Sequence, residues 1–276
     1  GLNASDRKKI GENLNGYDIS PDMVKMSLVN MYLHKFTNPK INEYDTLSNE
    51  ERWNEYYDVI LANPPFFSPK GGITPHNRFG VKSTKAEVLF IDYINEHLKP
   101  NGRAGIIVPE GVIFQTGAAY KQLRKRLIQT SLIGIISLPA GIFQPYSGVK
   151  TSILILDKEK NKKKHKIFFI DLKNDGYSLS ANRNSIKEND IPLYLEKLKN
   201  NSQDLKSVEQ KTLLESDDHS FVLKSFFNND KKNSSVKFVN LIDVCDLYQP
   251  KTITQKDLIE NGKYPVFGAN GIIGRY

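Results

Sequence analysis

The stretch that most restricts the fold is Tyr57-Asp-Val-Ile-Leu-Ala-Asn63-Pro64-Pro65-Phe66-Phe67. Its apolar, β-rich run after one acid is what a strand buried in a parallel sheet requires. Two prolines then end it, because each ring fixes φ and offers no N–H to a ladder. An Asn side chain is thereby held at the carboxyl end of a strand, where open α/β sheets place their ligands.

Strands and helices alternate on both sides of this point. Gly16 to Pro21 reads as a short strand ending in Asp18, followed by a helix with Ser20 as N-cap, Pro21 in its first position and Asp22 in its first turn. That helix carries Met23, Val24, Met26, Val29, Tyr32 and Leu33 as a stripe expected to face the core. Thr84-Lys-Ala-Glu87 has the capping-box pattern ahead of a helix bearing Val88, Leu89, Ile91, Ile94 and Leu98. A strand over Ala104 to Val108 is closed by Pro109-Glu110-Gly111. It is followed by a helix from Ala119 to Gln129, whose Lys121, Arg124, Lys125 and Arg126 are expected to face solvent. Leu132 to Leu138 and Thr151 to Leu156 complete the pattern, which predicts an α/β, doubly wound, Rossmann-like sheet. Leu2 to Leu14 is polar, shows no sustained period and reads as a loop or as the tail of an element that begins earlier. The lysine-rich Lys158 to Lys166 reads as a solvated hairpin tip, and Asp175-Gly-Tyr177 as a turn.

The chemistry that Asn-Pro-Pro-aromatic suits is methylation of an exocyclic amine. Such a nitrogen has its lone pair delocalised into the ring and attacks poorly unless acceptors engage its protons. The Asn63 oxygen and the Pro64 carbonyl are candidates for those acceptors, and Phe66 is a candidate to stack on the planar substrate. The competing reading is a stiff strand end with a core Phe. Asp18, with Ile19 beside it, is a candidate to hold both ribose hydroxyls of an adenosyl group, or else a helix-entry acid favoured by the dipole. Asp45-Thr46 lies where it could meet the exocyclic amine of a cofactor adenine, or it caps a turn. Phe143, in Gly141-Ile-Phe-Gln-Pro145, would face the same cleft as Phe66 and sandwich a flipped base, or it is a buried loop Phe. Ser68 to Lys82 reads as a lid with Lys70, His76, Arg78 and Lys82 available for phosphates, or as a surface loop. His76 has no second ligand at metal spacing.

Composition sets outer limits. The 276 residues carry 39 Lys and Arg against 31 acids, a net charge of +8 that suits a polyanionic partner. A single cysteine, Cys245, excludes an intrachain disulfide framework and a cysteine metal cluster. No apolar stretch approaches the ~18 residues of a membrane span and no signal peptide opens the chain, so a cytoplasmic location is expected. The start at Gly1 and the end at Tyr276 inside a glycine-rich pattern suggest a piece of a longer protein.

Asp58 to Phe66, Leu98-Lys-Pro-Asn-Gly-Arg-Ala-Gly-Ile-Ile-Val-Pro109 and Leu138-Pro-Ala-Gly-Ile-Phe143, in this order, resemble the DNA adenine-N6 methyltransferase subunits of type I restriction-modification systems. The match covers about Tyr17 to Asp190. The resemblance implies direct transfer of a methyl group from S-adenosylmethionine to N6 of a flipped adenine, with no metal. It implies Asp18 as the ribose-binding acid, Asp45 as the cofactor-adenine contact, Ile19 and Asn63 as further cofactor-binding positions, Asn63 to Phe66 as the catalytic motif and Phe143 as the second aromatic of the base pocket. The family's first strand and glycine-rich loop lie upstream of the position of Asp18, and Gly1 to Gly16 does not supply them.

Leu241 to Leu247 and Lys263 to Gly274 resemble the opening of a target-recognition domain of type I specificity subunits. The domain reading is therefore 1–190 as methyltransferase core, 191–235 as connector and 236–276 as the start of a recognition-like domain. Double-stranded DNA and specificity and restriction subunits or fused domains are the implied partners, with no membrane. Alternatives with the same motif are a protein glutamine or an RNA guanine-N2 methyltransferase. A catalytically silent DNA-binding or assembly module is a further one.

Overall fold

The computed structural model describes residues 3–66, 72–163, 165–200, 202, 204–227, 239, 243–246, 253–268 and 271–276. In chain order the elements are α1 (Ala4–Asn13), β1 (Asn15–Asp18), α2 (Pro21–Leu33), β2 (Lys40–Glu43), β3 (Tyr57–Ala62), α3 (Ala86–His97), β4 (Leu98–Pro109), α4 (Glu110–Phe114), α5 (Ala118–Thr130), β5 (Leu132–Ser137) and β6 (Thr151–Asp157). There follow α6 (Lys158–Lys163), β7 (Lys166–Asp171), β8 (Asp175–Tyr177), β9 (Ser185–Asn189), α7 (Ile191–Lys199), β10 (Ser207–Glu209), α8 (Gln210–Glu215), α9 (Leu223–Phe227), β11 (Pro265–Gly268) and β12 (Gly271–Arg275).

The main sheet has the order β10-β7-β5-β6-β4-β3. Strands β3, β4, β5 and β7 run one way, because β3–β4 and β5–β7 pair parallel and β4 and β5 both pair antiparallel with the reversed β6. The expected α/β sheet is present, with β6 and β10 reversed within it. Strands β1 and β2 form a separate two-stranded parallel pair. The core lies where α3 and α5 pack on the sheet, with Leu123, Leu127, Ile106 and Leu154 fully buried. Gly134 of β5 faces Phe168 of β7, and a Cβ there would lie 2.0 Å from the ring. Only glycine fits that approach.

Several expectations are corrected. The Leu2 to Leu14 loop is largely helix α1, opened by a reciprocal cap between Asn3 and Asp6; it buries no residue, so no apolar period announced it. The apolar stripe of α2 was expected in the core, yet α2 buries nothing and Met26, Val29 and Leu33 are exposed. The Thr84–Glu87 capping box does not form. The N-cap is Lys85 with no side-chain bond, and Glu87 instead accepts a hydrogen bond from the Tyr120 hydroxyl.

Arg124, expected in solvent, is fully buried and donates to the carbonyls of Val112, Gln115, Asp218 and His219. The lysine-rich hairpin tip is helix α6, anchored by buried Asn161, whose amide donates to Ile128 and Leu132 carbonyls. Asp175 to Tyr177, expected as a turn, is strand β8, paired with β9. The region 191–227 adds to the main body rather than only linking: β10 pairs with β7, and Leu213 and Phe221 lie in the core.

The chain divides into two compact units, Gly1–Phe227 and Asn228–Tyr276. The second contains the antiparallel pair β11–β12. Of Leu241 to Leu247 only residues 243–246 are described, and residues 269–270 of the glycine-rich pattern also lie outside the described set. Among the described residues no helix is long and apolar enough to cross a membrane.

Candidate active site

Strands β1 and β3 deliver their carboxyl ends to one cavity of about 860 Å³. That is within the usual size of a small-molecule site. Asp18, Ile19, Asp45, Thr46, Asn63, Pro64 and Pro65 all line it. Asp18 and Asp45, far apart in sequence, are brought together because Tyr44 N–H donates to the Asp18 carbonyl, which fastens the loop after β2 to the end of β1.

Each acid also has a local duty. Asp18 Oδ1 accepts the Ser20 N–H at 2.8 Å and so shapes the entry to α2, leaving its second oxygen outside that bond. Asp45 Oδ1 accepts from Leu47 N–H at 3.0 Å and Ser48 N–H at 3.2 Å, an Asx turn that sets the loop's curvature. Ligand-facing and turn-forming readings are therefore compatible: the turn uses one oxygen and the position lines the cavity. Pro64 is buried, and the neighbouring Asn63 is exposed at the strand end. The Asn63 amide makes no side-chain hydrogen bond among the described residues, so its oxygen is available to a substrate.

Phe66 and Phe143 meet, as the sequence suggested, with ring centroids 6.0 Å apart and planes at 69°. This is edge-to-face packing. A base lying between two parallel rings needs them about 7 Å apart, two van der Waals layers, so stacking requires one ring to turn. The loop carrying Phe143 is tied to the edge that bears β3. Glu110 N–H donates to the Lys150 carbonyl at 3.0 Å, and the Lys150 ammonium pairs with Glu110 at 3.2 Å.

The apolar wall of the cavity escaped the sequence reading. Leu47 and Ala86 are buried there, with Ile73 and Phe90 packed beside them. Phe90 lies off the α3 stripe that faces the sheet, and that offset was the available signal. Residues 72–82, read as a lid, are fastened rather than loose. Ile73 N–H donates to the Thr84 carbonyl, His76 N–H to the Leu47 carbonyl, and the buried Asp92 carboxylate accepts from Gly80 and Val81 N–H. Lys70 lies outside the described residues.

Behind this wall Trp53 packs edge-on against His76, Phe79, Tyr93 and His97. Burial holds both histidines below the usual imidazole pKa. Before β3, Glu55 accepts hydrogen bonds from the hydroxyls of Tyr17 in β1 and Tyr57 at the start of β3, and pairs with Arg52. Burial there works against the Glu55 charge, but those hydrogen bonds and the guanidinium outweigh it and hold the carboxyl low. Among the described residues no cluster of His, Cys, Asp or Glu could hold a metal ion.

An open α/β sheet that presents Asn-Pro-Pro-Phe beside a nucleoside-sized cavity has the architecture of the methyltransferases. The family model described as N-6 DNA Methylase matches residues 2–241, and the chain belongs to that family. The chain is 31% identical to the type I restriction enzyme EcoEI methylase subunit of Escherichia coli over 156 residues, 55% of this chain and 32% of that subunit. It is 25% identical to the MjaIX methylase subunit of Methanocaldococcus jannaschii over 198 residues, 67% of this chain and 35% of that one.

The chain thus spans about a third of the length of these curated relatives. A structure described for complex assembly and conformational transition of the type I R-M system superposes with a TM-score of 0.62 at 26% identity, covering 77% of this chain and 47% of that one. A type I methyltransferase subunit from Streptococcus thermophilus shares the fold, with a TM-score of 0.60 at 23% identity over 75% of this chain and 47% of its own.

Proposed function

We propose that the protein containing this chain is a site-specific DNA adenine methyltransferase of a restriction-modification system, working in the cytoplasm and using S-adenosylmethionine. The observation that carries the reading is the cavity shared by Asp18, Asp45 and Asn63, together with the contact of Phe143 with Phe66, the residue next to the cavity-lining Pro65. The residues fit an adenosyl group: a carboxylate at a strand end for a ribose diol, an acid-bearing turn for the adenine amine, and an apolar wall of Ile19, Leu47 and Phe90 for the ring faces.

When bound, S-adenosylmethionine supplies an electrophilic methyl group. The chain's own residues do the rest. Asn63 Oδ1 and the Pro64 carbonyl accept hydrogen bonds from the two N6–H groups of the target adenine, which draws the lone pair back onto nitrogen, while Phe66 and Phe143 hold the ring; the surplus proton left after transfer passes to solvent. The acceptor bonds strengthen as the amine becomes positive in the transition state, so they act on turnover. In this reading residues 1–190 are the catalytic core and 191–235 lead to a recognition-like start at 236–276. Double-stranded DNA is the substrate, and specificity and restriction subunits or fused domains are the partners.

The test is transfer of labelled methyl from S-adenosylmethionine to DNA by the intact natural protein. Asn63→Ala should lower kcat at least about 100-fold, the scale for losing one preorganised transition-state hydrogen bond, while leaving cofactor affinity close to wild type. Wild-type turnover in that variant would remove Asn63 from the chemistry. Label that appears on protein or RNA instead of DNA would replace the substrate.

A further inference from the structure

The turn that brings Phe143 to Phe66 also carries a second aromatic ring, and that one is exposed. Ser147 N–H donates to the Phe143 carbonyl at 2.9 Å and Gln144 N–H to the Gly141 carbonyl at 3.0 Å, so residues 141–147 form a compact, internally bonded turn. On it Phe143 is half-buried against Phe66, whereas Tyr146 is 94% exposed. Tyr146 makes no hydrogen bond or ring contact with another described residue.

The turn is braced rather than loose. Leu138 N–H donates to the Thr151 carbonyl at its base, Lys150 is held by Glu110, and a Cβ on Gly141, whose φ is +87°, would touch the Leu179 backbone oxygen at 3.4 Å. A braced turn can push.

We propose that Tyr146 enters the duplex at the position vacated by the extruded adenine and stacks on the neighbouring bases. This rests on the reading of the protein as a base-flipping DNA methyltransferase. A base extruded from a duplex leaves its neighbours without a stacking partner, and enzymes that take a base out must meet that cost. A flat ring compensates best, because each neighbouring base offers a π-face whatever its identity. In that reading the backbone of the target nucleotide must pass close to the Phe66–Phe143 pair, where one ring turns to admit the base. The turn that carries Phe143 therefore stands beside the vacated gap, and Tyr146 is the side chain it directs outward.

The experiment compares methyl transfer to two duplexes by the intact protein: one with the target adenine paired to thymine, the other with an abasic site opposite it, where extrusion breaks no base pair. Tyr146→Ala should lower kcat/KM on the paired duplex about tenfold, since one base stack is worth ~1–3 kcal/mol, and by much less on the abasic duplex. Tyr146→Trp should keep the paired-duplex rate. With 2-aminopurine at the target position, the fluorescence rise on binding should be smaller for Tyr146→Ala than for wild type.

Equal rates for Tyr146→Ala and wild type on the paired duplex would overturn the proposal. So would an equal loss on both duplexes, which would place the ring in binding rather than in extrusion. Wild-type protein that methylates neither duplex would overturn the methyltransferase reading itself, a distinct result because it appears without any substitution.

Discussion

Helices α2 and α3 are the first helices after β1 and β3, yet they live in opposite environments, and α3 alone of the two lends residues, Ala86 and Phe90, to the cavity. Helix α3 buries ten of its residues, among them the polar Glu87, Asp92, Asn95 and His97; the first three hydrogen-bond to Tyr120, Gly80 and Ser131 outside the helix, and the His97 ring bonds the Tyr93 carbonyl within it. Helix α2 buries none, and its apolar side lies open with Leu33 at 76% exposure. The same division runs through β3, whose inner edge pairs with β4 while Leu61 is 82% exposed. The candidate site is assembled across this boundary. Asn63 and the Phe143 loop belong to the packed side, and Asp18 to the sparsely packed one. Under the proposed function the acceptor groups sit on the stiff half, whereas cofactor affinity would depend on elements held by the Tyr44-to-Asp18 bond and the Tyr17–Glu55–Tyr57 cluster.

The comparison can be broken by unfolding experiments. Leu127→Ala, in α5 against the sheet, should cost about 2–5 kcal/mol in denaturant unfolding, the usual effect of a core cavity. Arg124→Met should cost about 2–3 kcal/mol, because it strands buried carbonyls that the guanidinium now satisfies. An unchanged midpoint in that variant would mean water replaces the side chain.

A pH effect should come next. His76, half-buried, and His97, fully buried, both have pKa values held by desolvation below the usual imidazole value, so the unfolded chain binds protons more readily than the folded one. Stability from them is therefore present above about pH 6.5 and falls as pH drops below it. His97→Gln should flatten that slope between neutral and mildly acidic pH. An identical slope would show that the imidazole stays hydrated. The smallest effect is expected at Met26→Ala on the open face of α2, within about 0.5 kcal/mol. A cost approaching that of Leu127→Ala would show that α2 is covered in the intact protein and would erase the contrast.

The strand–helix alternation, the Asn-Pro-Pro stop of β3 and the Ser20 cap of α2 were legible because each rests on local rules: a period of two or 3.6, a ring that fixes φ, a hydroxyl that meets a free N–H. The meeting of Phe66 with Phe143 was legible for a related reason, since parallel strands send their following loops to one edge. Helix α1 and helix α6 were not, because one buries nothing and the other is pinned by a single Asn amide reaching two distant carbonyls. Arg124 was misread for the same reason. A basic residue on a helix face looks solvated until the carbonyls that surround it are known.

What the sequence by itself determined is the order of elements and the identity of the groups offered at the sheet's carboxyl edge, both properties of short runs of residues. Which apolar stripe is buried, which acids spend an oxygen on a turn, and that Leu47, Ile73 and Phe90 wall the cavity were decided only by tertiary structure. Burial and hydrogen-bond satisfaction depend on chain segments far apart in sequence, and a local pattern does not record whether its partner is there.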